Sequence, residues 1–231
     1  MKFSSKERSI WFTSDTHFHH SNLTKGETHW PDDSRCRDFA TVKEMDELIV
    51  HNINENVKPD SILFHCGDWS FGGIDRIQEF RDRINCKNVH LLRGNHDKHI
   101  TKLGTNVMGF ASVNDYLKID IDGLGIVLSH YPKKSWHHSY YGVWMLFGHC
   151  HGNLRNQIPS WILKGLIEEE RWDDIRALAN DEKIEGIYPD GYSIDIGIDT
   201  HPEFRPYHFD EIKDHMDRVK ESKWESNSDR M

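Results

Sequence analysis

One pattern in this sequence constrains the fold more than any other. Short apolar runs typical of buried strands are each followed, within a few residues, by Asp, Asn or His in a glycine-containing or polar loop. Loops that follow the strands of a parallel or mixed sheet collect at one edge, so these polar side chains are predicted to converge there. They are Asp15, His17, Asp68, Asn95, His96, Asp97, His130, His149 and His151.

The strand-like runs alternate with helix-like segments, and this alternation predicts an α/β layered fold. Two segments have helical spacing of apolar residues, one beginning near Thr41 and one over 74–84. Thr41 and Glu44 form a candidate capping box. Leu48 and Ile74 fall on the apolar faces of these two helices. The predicted strands cover 9–13, 62–64, 89–92, a hairpin of 116–121 and 124–129 turning at Asp122-Gly123, 143–147, and a closing strand at 192–198.

Length and charge limit the possible functions. With 231 residues, one domain over 1–220 is expected, followed by a disordered polar tail over 221–231. The net charge of −9 disfavours an extended nucleic-acid groove, although bound cations would still admit a small anion. The four cysteines have no paired spacing, and neither a signal peptide nor a membrane span is evident, so a cytoplasmic protein with reduced thiols is expected (host cytoplasm if the protein is viral).

The chemistry of the convergent side chains indicates metal binding. Carboxylate, amide and imidazole ligands without cysteine suit a pair of divalent transition metals better than a closed structural zinc site. Two such ions with open coordination positions are suited to hydrolysing phosphate esters. Manganese is an expected activator in vitro, and iron, zinc or nickel are alternatives that the sequence does not separate.

Taken in order, the motifs resemble those of the calcineurin-like metallophosphoesterases, in particular small single-domain members found in bacteria and their phages. The motifs are D-x-H, G-D, G-N-H-D, a lone His and G-H-x-H, and they extend from residue 15 to residue 151. The resemblance implies a two-sheet β-sandwich flanked by helices, with the metals at the C-terminal edge of the strands.

The resemblance also implies a role for each motif residue. His96 would protonate the leaving group, Asp97 would orient the His96 ring, and Arg93 is the candidate for substrate binding. Most of the basic residues in or near the motif loops, a group that includes Arg37, are expected to be solvated. The first metal would bind Asp15, His17, Asp68 and His151, and the second would bind Asp68, Asn95, His130 and His149, with Asp68 as the bridge.

The most specific function that the sequence suggests is a phosphodiesterase acting on a small nucleotide or related metabolite. The residues after Asp68 lack the arginine-containing motif of protein phosphatases. A DNA or RNA phosphoesterase is the enzymatic alternative, and a non-catalytic scaffold is a third, less favoured because no ligand residue is missing. No membrane partner is expected. The sequence does not decide whether the protein forms a homo-oligomer. A predicted helical insertion over 155–190 could be a lid over the site, a dimer contact or part of the core.

Overall fold

The structure is a computed structural model, and it describes residues 1–100, 108–153 and 192–228, with the side chains of 219–228 left aside. Its strands are β1 (Lys2–Phe3), β2 (Ile10–Thr13), β3 (Ile62–His65), β4 (Asn88–Leu92), β5 (Ser112–Asn114), β6 (Tyr116–Ile121), β7 (Leu124–Ser129), β8 (Trp144–Phe147), β9 (Ser193–Asp195) and β10 (Tyr207–His208). Its α-helices are α1 (Val42–Asn56), α2 (Ile74–Arg83) and α3 (Phe209–Ser228).

Two five-stranded sheets form the framework. One has the order β10-β2-β3-β4-β5, in which β2 to β5 are parallel and β10 is antiparallel. The other has the order β1-β6-β7-β8-β9, in which only the β6–β7 hairpin is antiparallel. The predicted two-sheet α/β fold flanked by helices is therefore confirmed.

Two apolar layers hold this framework together. Between the sheets, Phe12 and Phe64 of the first sheet lie in one buried cluster with Leu128 and Leu146 of the second. On the outer face of the first sheet, α1 and α2 contribute to another cluster around Trp69. Strands β2, β3 and β8 are almost entirely buried, which explains why their sequences read as continuous apolar runs and not as alternating ones.

The helix beginning at Thr41 is confirmed with one difference in its cap. The Thr41 side chain accepts a hydrogen bond from the Glu44 backbone N–H at 3.1 Å, as a capping box requires. The Glu44 carboxylate, however, accepts from the N–H of Ala40, one residue before the cap. Leu48 and Ile74, expected on buried helix faces, are exposed at 38% and 43% because each lies at the border of its apolar stripe.

The hairpin turn lies where it was predicted. Ile121 pairs with Leu124, so Asp122 and Gly123 are the two turn residues, with φ angles of 49° and 90°. Positive φ at both positions is the conformation whose twist matches a two-residue hairpin. Strands β1, β5 and β10, which have two or three residues each, were not predicted, because so short a run has no periodicity to detect.

The last helix covers part of the segment predicted as a polar tail. The backbone of α3 is helical as far as Ser228, within the predicted tail over 221–231. The predicted insertion at 155–190 lies outside the described residues. In the described part of the chain no helix is long and apolar enough to cross a membrane, and all four cysteines are buried and unpaired.

Candidate metal centre

The polar loops converge at the C-terminal edges of both sheets, as the sequence predicts. The Asp15 N–H donates to the carbonyl of Gly67 at 2.9 Å, and the His17 N–H donates to that of Asp68 at 3.0 Å. The two sheets meet at the same edge, where Ser14 forms a bridge with Gly197 beyond β9. Loops after β2, β3, β4, β7, β8 and β9 thus surround one location.

A first group of possible metal ligands comprises Asp15, His17 and His151, whose donor atoms all lie within 4.8 Å of one another. The Nε2 atoms of His17 and His151 are each 3.8 Å from Oδ1 of Asp15. Two ligand atoms each about 2.1 Å from one ion are separated by a distance of this size. The group can therefore hold one cation without a change in the backbone.

Asp68 links the first group to a second one. Its Oδ2 atom lies 3.6 Å from Nε2 of His17 and 3.5 Å from Nε2 of His130. Asp68, His130 and His149 form a further set of donors within 4.8 Å, and the Asn95 side-chain oxygen lies 3.0 Å from Nε2 of His130. One carboxylate thus faces both groups, which is the position required of a bridging ligand.

Several buried atoms in the centre have electron pairs and no hydrogen-bond donor. Oδ1 of Asp15 is buried without a hydrogen-bond partner, although both imidazoles of its group face it. Burial raises the pKa of this carboxyl to about 7, so the charged form needs a cation nearby. His17 cannot supply that charge, because burial holds its pKa well below the usual range, whereas the pKa of His151 is raised to about 8. The donor set therefore fits divalent cations.

A hydrogen bond orients the His130 ring so that Nε2 faces the centre. Nδ1 of His130 lies 2.9 Å from the carbonyl of Cys66, and only a protonated nitrogen can bond to a carbonyl oxygen. In the neutral ring this leaves the lone pair on Nε2, which faces the oxygens of two other proposed ligands, Asp68 at 3.5 Å and Asn95 at 3.0 Å. A metal ligand histidine is commonly held in this way by a carbonyl or a carboxylate.

The loops hold unusual backbone conformations at the predicted ligands. A positive φ is uncommon outside glycine, and it persists only where the surrounding structure enforces it. Such residues are concentrated at functional sites, so this clustering independently marks the centre as functional. The φ angles are 55° at Asp15, 48° at His17, 56° at Asp68, 70° at His149 and 49° at His151.

Two motif glycines are required by close approach. A Cβ atom on Gly94 would lie 2.1 Å from Oδ1 of Asp68, and one on Gly148 would lie 2.3 Å from Oδ2 of Asp15. Any side chain at either position would displace a carboxylate of the centre. The glycines of the G-N-H and G-H-x-H motifs therefore make room for ligands that other loops supply.

The sequence reasoning missed Asp199 and misjudged Arg37. Nδ1 of His151 lies 2.6 Å from Oδ2 of Asp199, and the Arg37 guanidinium contacts the same oxygen at 2.9 Å. Arg37 also donates to the backbone carbonyls of Asp15 and Thr16 at 2.5 and 3.0 Å. Arg37 is buried, so it is an exception to the expectation that most basic residues near the motifs are solvated.

A signal for Asp199 was present in the sequence. It directly follows the predicted closing strand at 192–198, so it obeys the same rule as the other site residues. Burial alone would raise the pKa of its carboxyl, but Arg37 and His151 hold that pKa well below its usual range. Burial alone would lower the pKa of His151, but its hydrogen bond with Asp199 and the nearby carboxylates raise that pKa to about 8.

His96 and Asp97 have separate positions. The His96 ring is partly exposed, with Nε2 4.0 Å from Oδ2 of Asp68, so it lies on the rim of the centre. Asp97 is buried, and its carboxylate accepts from the backbone N–H groups of Asp68, Trp69 and Gly94 at 2.8 to 3.0 Å. These contacts join the G-D loop to the G-N-H loop. Asp97 was expected to orient the His96 ring. The structure does not show this, because the Asp97 carboxylate faces the three backbone N–H groups.

Arg93 is not brought to the ligand cluster. Its Nε donates to Oδ1 of Asp115 at 2.7 Å, and a second nitrogen contacts the other oxygen. This bidentate pair holds the guanidinium beside the end of β5. Binding of substrate by Arg93 would require that pair to separate, and no described contact favours it.

His65 has a structural role in the core of the centre. Its Nδ1 atom accepts from the Gly67 N–H at 3.3 Å, so Nε2 donates to the Thr16 hydroxyl at 3.0 Å. The hydroxyl in turn donates to the carbonyl of Trp69 at 2.8 Å. Buried His65 therefore connects the D-x-H loop to the G-D loop and does not bind metal through these atoms.

Comparison with known proteins gives one sequence relative and a shared fold. No family model matches the chain. An uncharacterized protein of Methanocaldococcus jannaschii, MJ1445, is 30% identical over 155 residues, which cover 66% of this chain and 74% of that protein. The crystal structure of AQ665, a protein of unknown function from Aquifex aeolicus, superposes with a TM-score of 0.56 at 21% identity, over 90% of this chain and 98% of that one.

A third comparison concerns a conserved uncharacterized protein of Streptococcus pneumoniae described as a predicted phosphoesterase. It gives a TM-score of 0.31 at 15% identity, over 62% of this chain and 63% of that one. A superposition this low defines neither fold nor function. The Aquifex structure establishes a shared fold, and the function has to be inferred from the site.

Proposed function

We propose that this chain, which belongs to the same family as the uncharacterized Methanocaldococcus jannaschii protein MJ1445, is a metal-dependent phosphoesterase with a dinuclear centre. The observation that carries the proposal is the position of Asp68. One of its oxygens faces His17 of the first group and His130 of the second at nearly equal distances, 3.6 and 3.5 Å. A carboxylate shared between two ligand groups is the arrangement that two-metal hydrolases require.

Two bound divalent cations would polarise the phosphoryl oxygens and make water acidic enough to react near neutral pH. The protein contributes the positions of the reacting groups. Asn95 brings an uncharged oxygen to the second group, which limits the negative charge that an anionic substrate meets. Hydrogen bonds already hold the side chains of four of the proposed ligands, so little reorganisation accompanies substrate binding. These ligands are Asp15, Asp68, His130 and His151.

His96 is proposed as the residue that protonates the leaving group. Its ring lies on the rim of the centre, partly exposed, and its backbone N–H donates to Oδ1 of Asp68 at 2.9 Å. This bond fixes the main chain while the ring faces the opening. A donor in that position can reach the ester oxygen that departs from a phosphoryl group held beside Asp68.

Among phosphoesterases, we propose a phosphodiesterase that acts on a small nucleotide or related metabolite. The net charge of −9 disfavours an extended nucleic acid as substrate. Manganese is the proposed activator in vitro, and iron, zinc or nickel would suit the same oxygen and nitrogen donors.

The decisive experiment measures metal content and activity together. After equilibration with Mn²⁺, elemental analysis should give two ions per chain, and bis(4-nitrophenyl) phosphate should be hydrolysed. Asp68→Asn should lose both ions or nearly all activity, because the bridge is shared. Asp82→Asn is the matched control, since Asp82 lies on the surface of α2 and hydrogen-bonds only Gln78 among the described residues. One tightly bound ion at full activity would contradict the dinuclear centre.

A further inference from the structure

We infer that the cleft beside His96 is a binding subsite for a planar ring on the leaving arm of the ester, with Phe71 as its stacking surface; this rests on the proposed function. The cleft has a volume of about 300 Å³. Asn95, a proposed metal ligand, is among the residues that line it, so a molecule bound there adjoins the metal-ligand cluster. The residues that line it are Phe71, Gly72, Asn95, His96, Lys98 and His99.

Phe71 presents a fixed and partly exposed aromatic face. One side of its ring stacks on buried His20, with centroids 4.1 Å apart and an interplanar angle of 4°. The Phe71 N–H donates to the carbonyl of Phe18 at 2.7 Å, which holds the backbone. The ring is still 41% exposed, so its uncovered part faces the cleft that it lines. A planar ligand ring would form the third layer of this stack.

Packing in the apolar core does not account for the position of Phe71. Trp69, two residues earlier in the same loop, is completely buried in the cluster under α1 and α2. Phe71 belongs to none of the buried apolar clusters in the described part of the chain. It lies 5.3 Å from the His96 ring, next to the group that we propose as the leaving-group acid.

The charge of the cleft suits an anion or a ring rich in hydrogen-bond acceptors. Among the described residues its lining contains a lysine and two histidines but no carboxylate, although the chain as a whole has 38 acidic and 29 basic residues. Lys98 makes no ion pair with any residue that the structure describes. Its ammonium group can therefore donate to carbonyl or phosphate oxygens of a bound arm.

The size of the cleft limits the ligand to one ring-bearing arm. Ligand pockets usually have volumes of roughly 300–1,000 Å³, so this one is at the small end. A nucleoside, which joins a planar base to a hydroxyl-bearing sugar, is the chemical class that combines a stacking ring, hydrogen-bond acceptors and an ester oxygen. A polymer would have to extend beyond the cleft over an acidic protein.

Calorimetric titration of the Mn²⁺-loaded protein with adenosine 5′-monophosphate and with methyl phosphate tests the subsite. The wild type should bind the nucleotide more tightly. Phe71→Ala should weaken nucleotide binding about 5- to 160-fold, since base stacking on an aromatic side chain contributes roughly 1–3 kcal/mol. The same variant should leave methyl phosphate binding and metal content unchanged, and Phe71→Trp should retain the preference. Tyr140→Ala is the control, because Tyr140 is 93% exposed and lines no part of this cleft.

Three results would overturn the inference, and they separate it from the proposed function. Equal affinity of the wild type for both ligands would exclude a ring subsite while leaving the phosphoesterase intact. Equal weakening of both ligands by Phe71→Ala would show that Phe71 supports the centre and not the ring. Binding of neither ligand by a protein that holds two metals would overturn the proposed function as well.

Discussion

The Nδ1 atom of His151 lies 2.6 Å from Oδ2 of Asp199, while Nε2 of the same ring faces Asp15. The Asp199 carboxylate thus fixes the His151 ring through Nδ1 and leaves Nε2 available to bind a cation. Arg37 contacts the same oxygen and two carbonyls of the D-x-H loop. The Arg37–Asp199 pair therefore connects the first and the last loops of the centre.

This contact predicts a selective metal defect. Asp199→Asn should weaken binding of the first metal about 10- to 100-fold, the usual effect of losing such a supporting carboxylate. Binding of the second metal, through His130 and His149, should change little because neither ring contacts Asp199. Titration of the apo-protein with Mn²⁺, followed by electron paramagnetic resonance, separates the two sites.

The control for this experiment is Asp195→Asn. Asp195 lies near Asp199 but accepts from the backbone N–H groups of Gly152 and Gly197, and it does not contact the His151 ring. Equal weakening of both metals by Asp199→Asn would indicate a general loss of structure. Unchanged binding would show that the contact with Asp199 does not position His151.

The second prediction separates His96 from its neighbour Asn95. His96→Ala should keep two metals and lose rate strongly with alkyl or ribose esters, up to about 10²–10⁴-fold, because an alkoxide needs a proton to depart. It should lose much less with nitrophenyl esters, whose leaving group departs unprotonated. Asn95→Ala should instead weaken the second metal and lower both rates together.

Rates with the two ester types, together with the metal content of each variant, distinguish these roles. If His96→Ala slows both ester types equally with metals intact, His96 binds the phosphoryl group. Retention of both metals by Asn95→Ala would exclude Asn95 as a ligand.

The third prediction concerns Asp97, which joins two loops through three backbone hydrogen bonds. Asp97→Ala would leave three N–H groups without this acceptor, two of them buried, so the free energy of unfolding should fall by roughly 2–5 kcal/mol. Urea unfolding measures the loss. The variant could instead be as stable as the wild type and lose only its activity toward esters with poor leaving groups. That result would show that Asp97 orients His96, as expected from the sequence.

The fourth prediction is a pH dependence that originates outside the ligand set. Burial raises the pKa of Asp46 to about 7, although its carboxylate accepts from the His19 N–H. The unfolded chain releases this proton near pH 4, whereas the folded protein retains it up to about pH 7. Asp46 therefore stabilises the fold at low pH, and this contribution decreases as the pH rises from about 4 to 7.

Asp46→Asn should remove that part of the pH dependence. The variant should gain stability relative to the wild type at pH 8, by about 1.4 kcal/mol for each unit of pKa shift. Urea unfolding of the metal-free proteins between pH 4.5 and 8 measures the difference. Parallel curves for the two proteins would show that Asp46 titrates normally in the fold.

The sequence was sufficient for the order of elements and for the location of the centre. Strands such as β2 and β3 are continuous apolar runs because both of their faces are buried, and each is followed by a ligand-capable residue. Since the C-terminal ends of parallel strands meet at one edge, local order along the chain already implied convergence in space. The capping threonine and the Asp122-Gly123 turn were predictable because their chemistry is local.

Only the tertiary structure determined the contacts between loops that are distant in sequence. Arg37 and Asp199 are 162 residues apart, and no local pattern pairs them. The direction of the Asp97 carboxylate and the pairing of Arg93 with Asp115 depend on how neighbouring loops pack. Periodicity and motifs indicate which residues lie at the C-terminal edge of the sheets. The partner of each side chain depends on packing and on the need to hydrogen-bond buried polar groups.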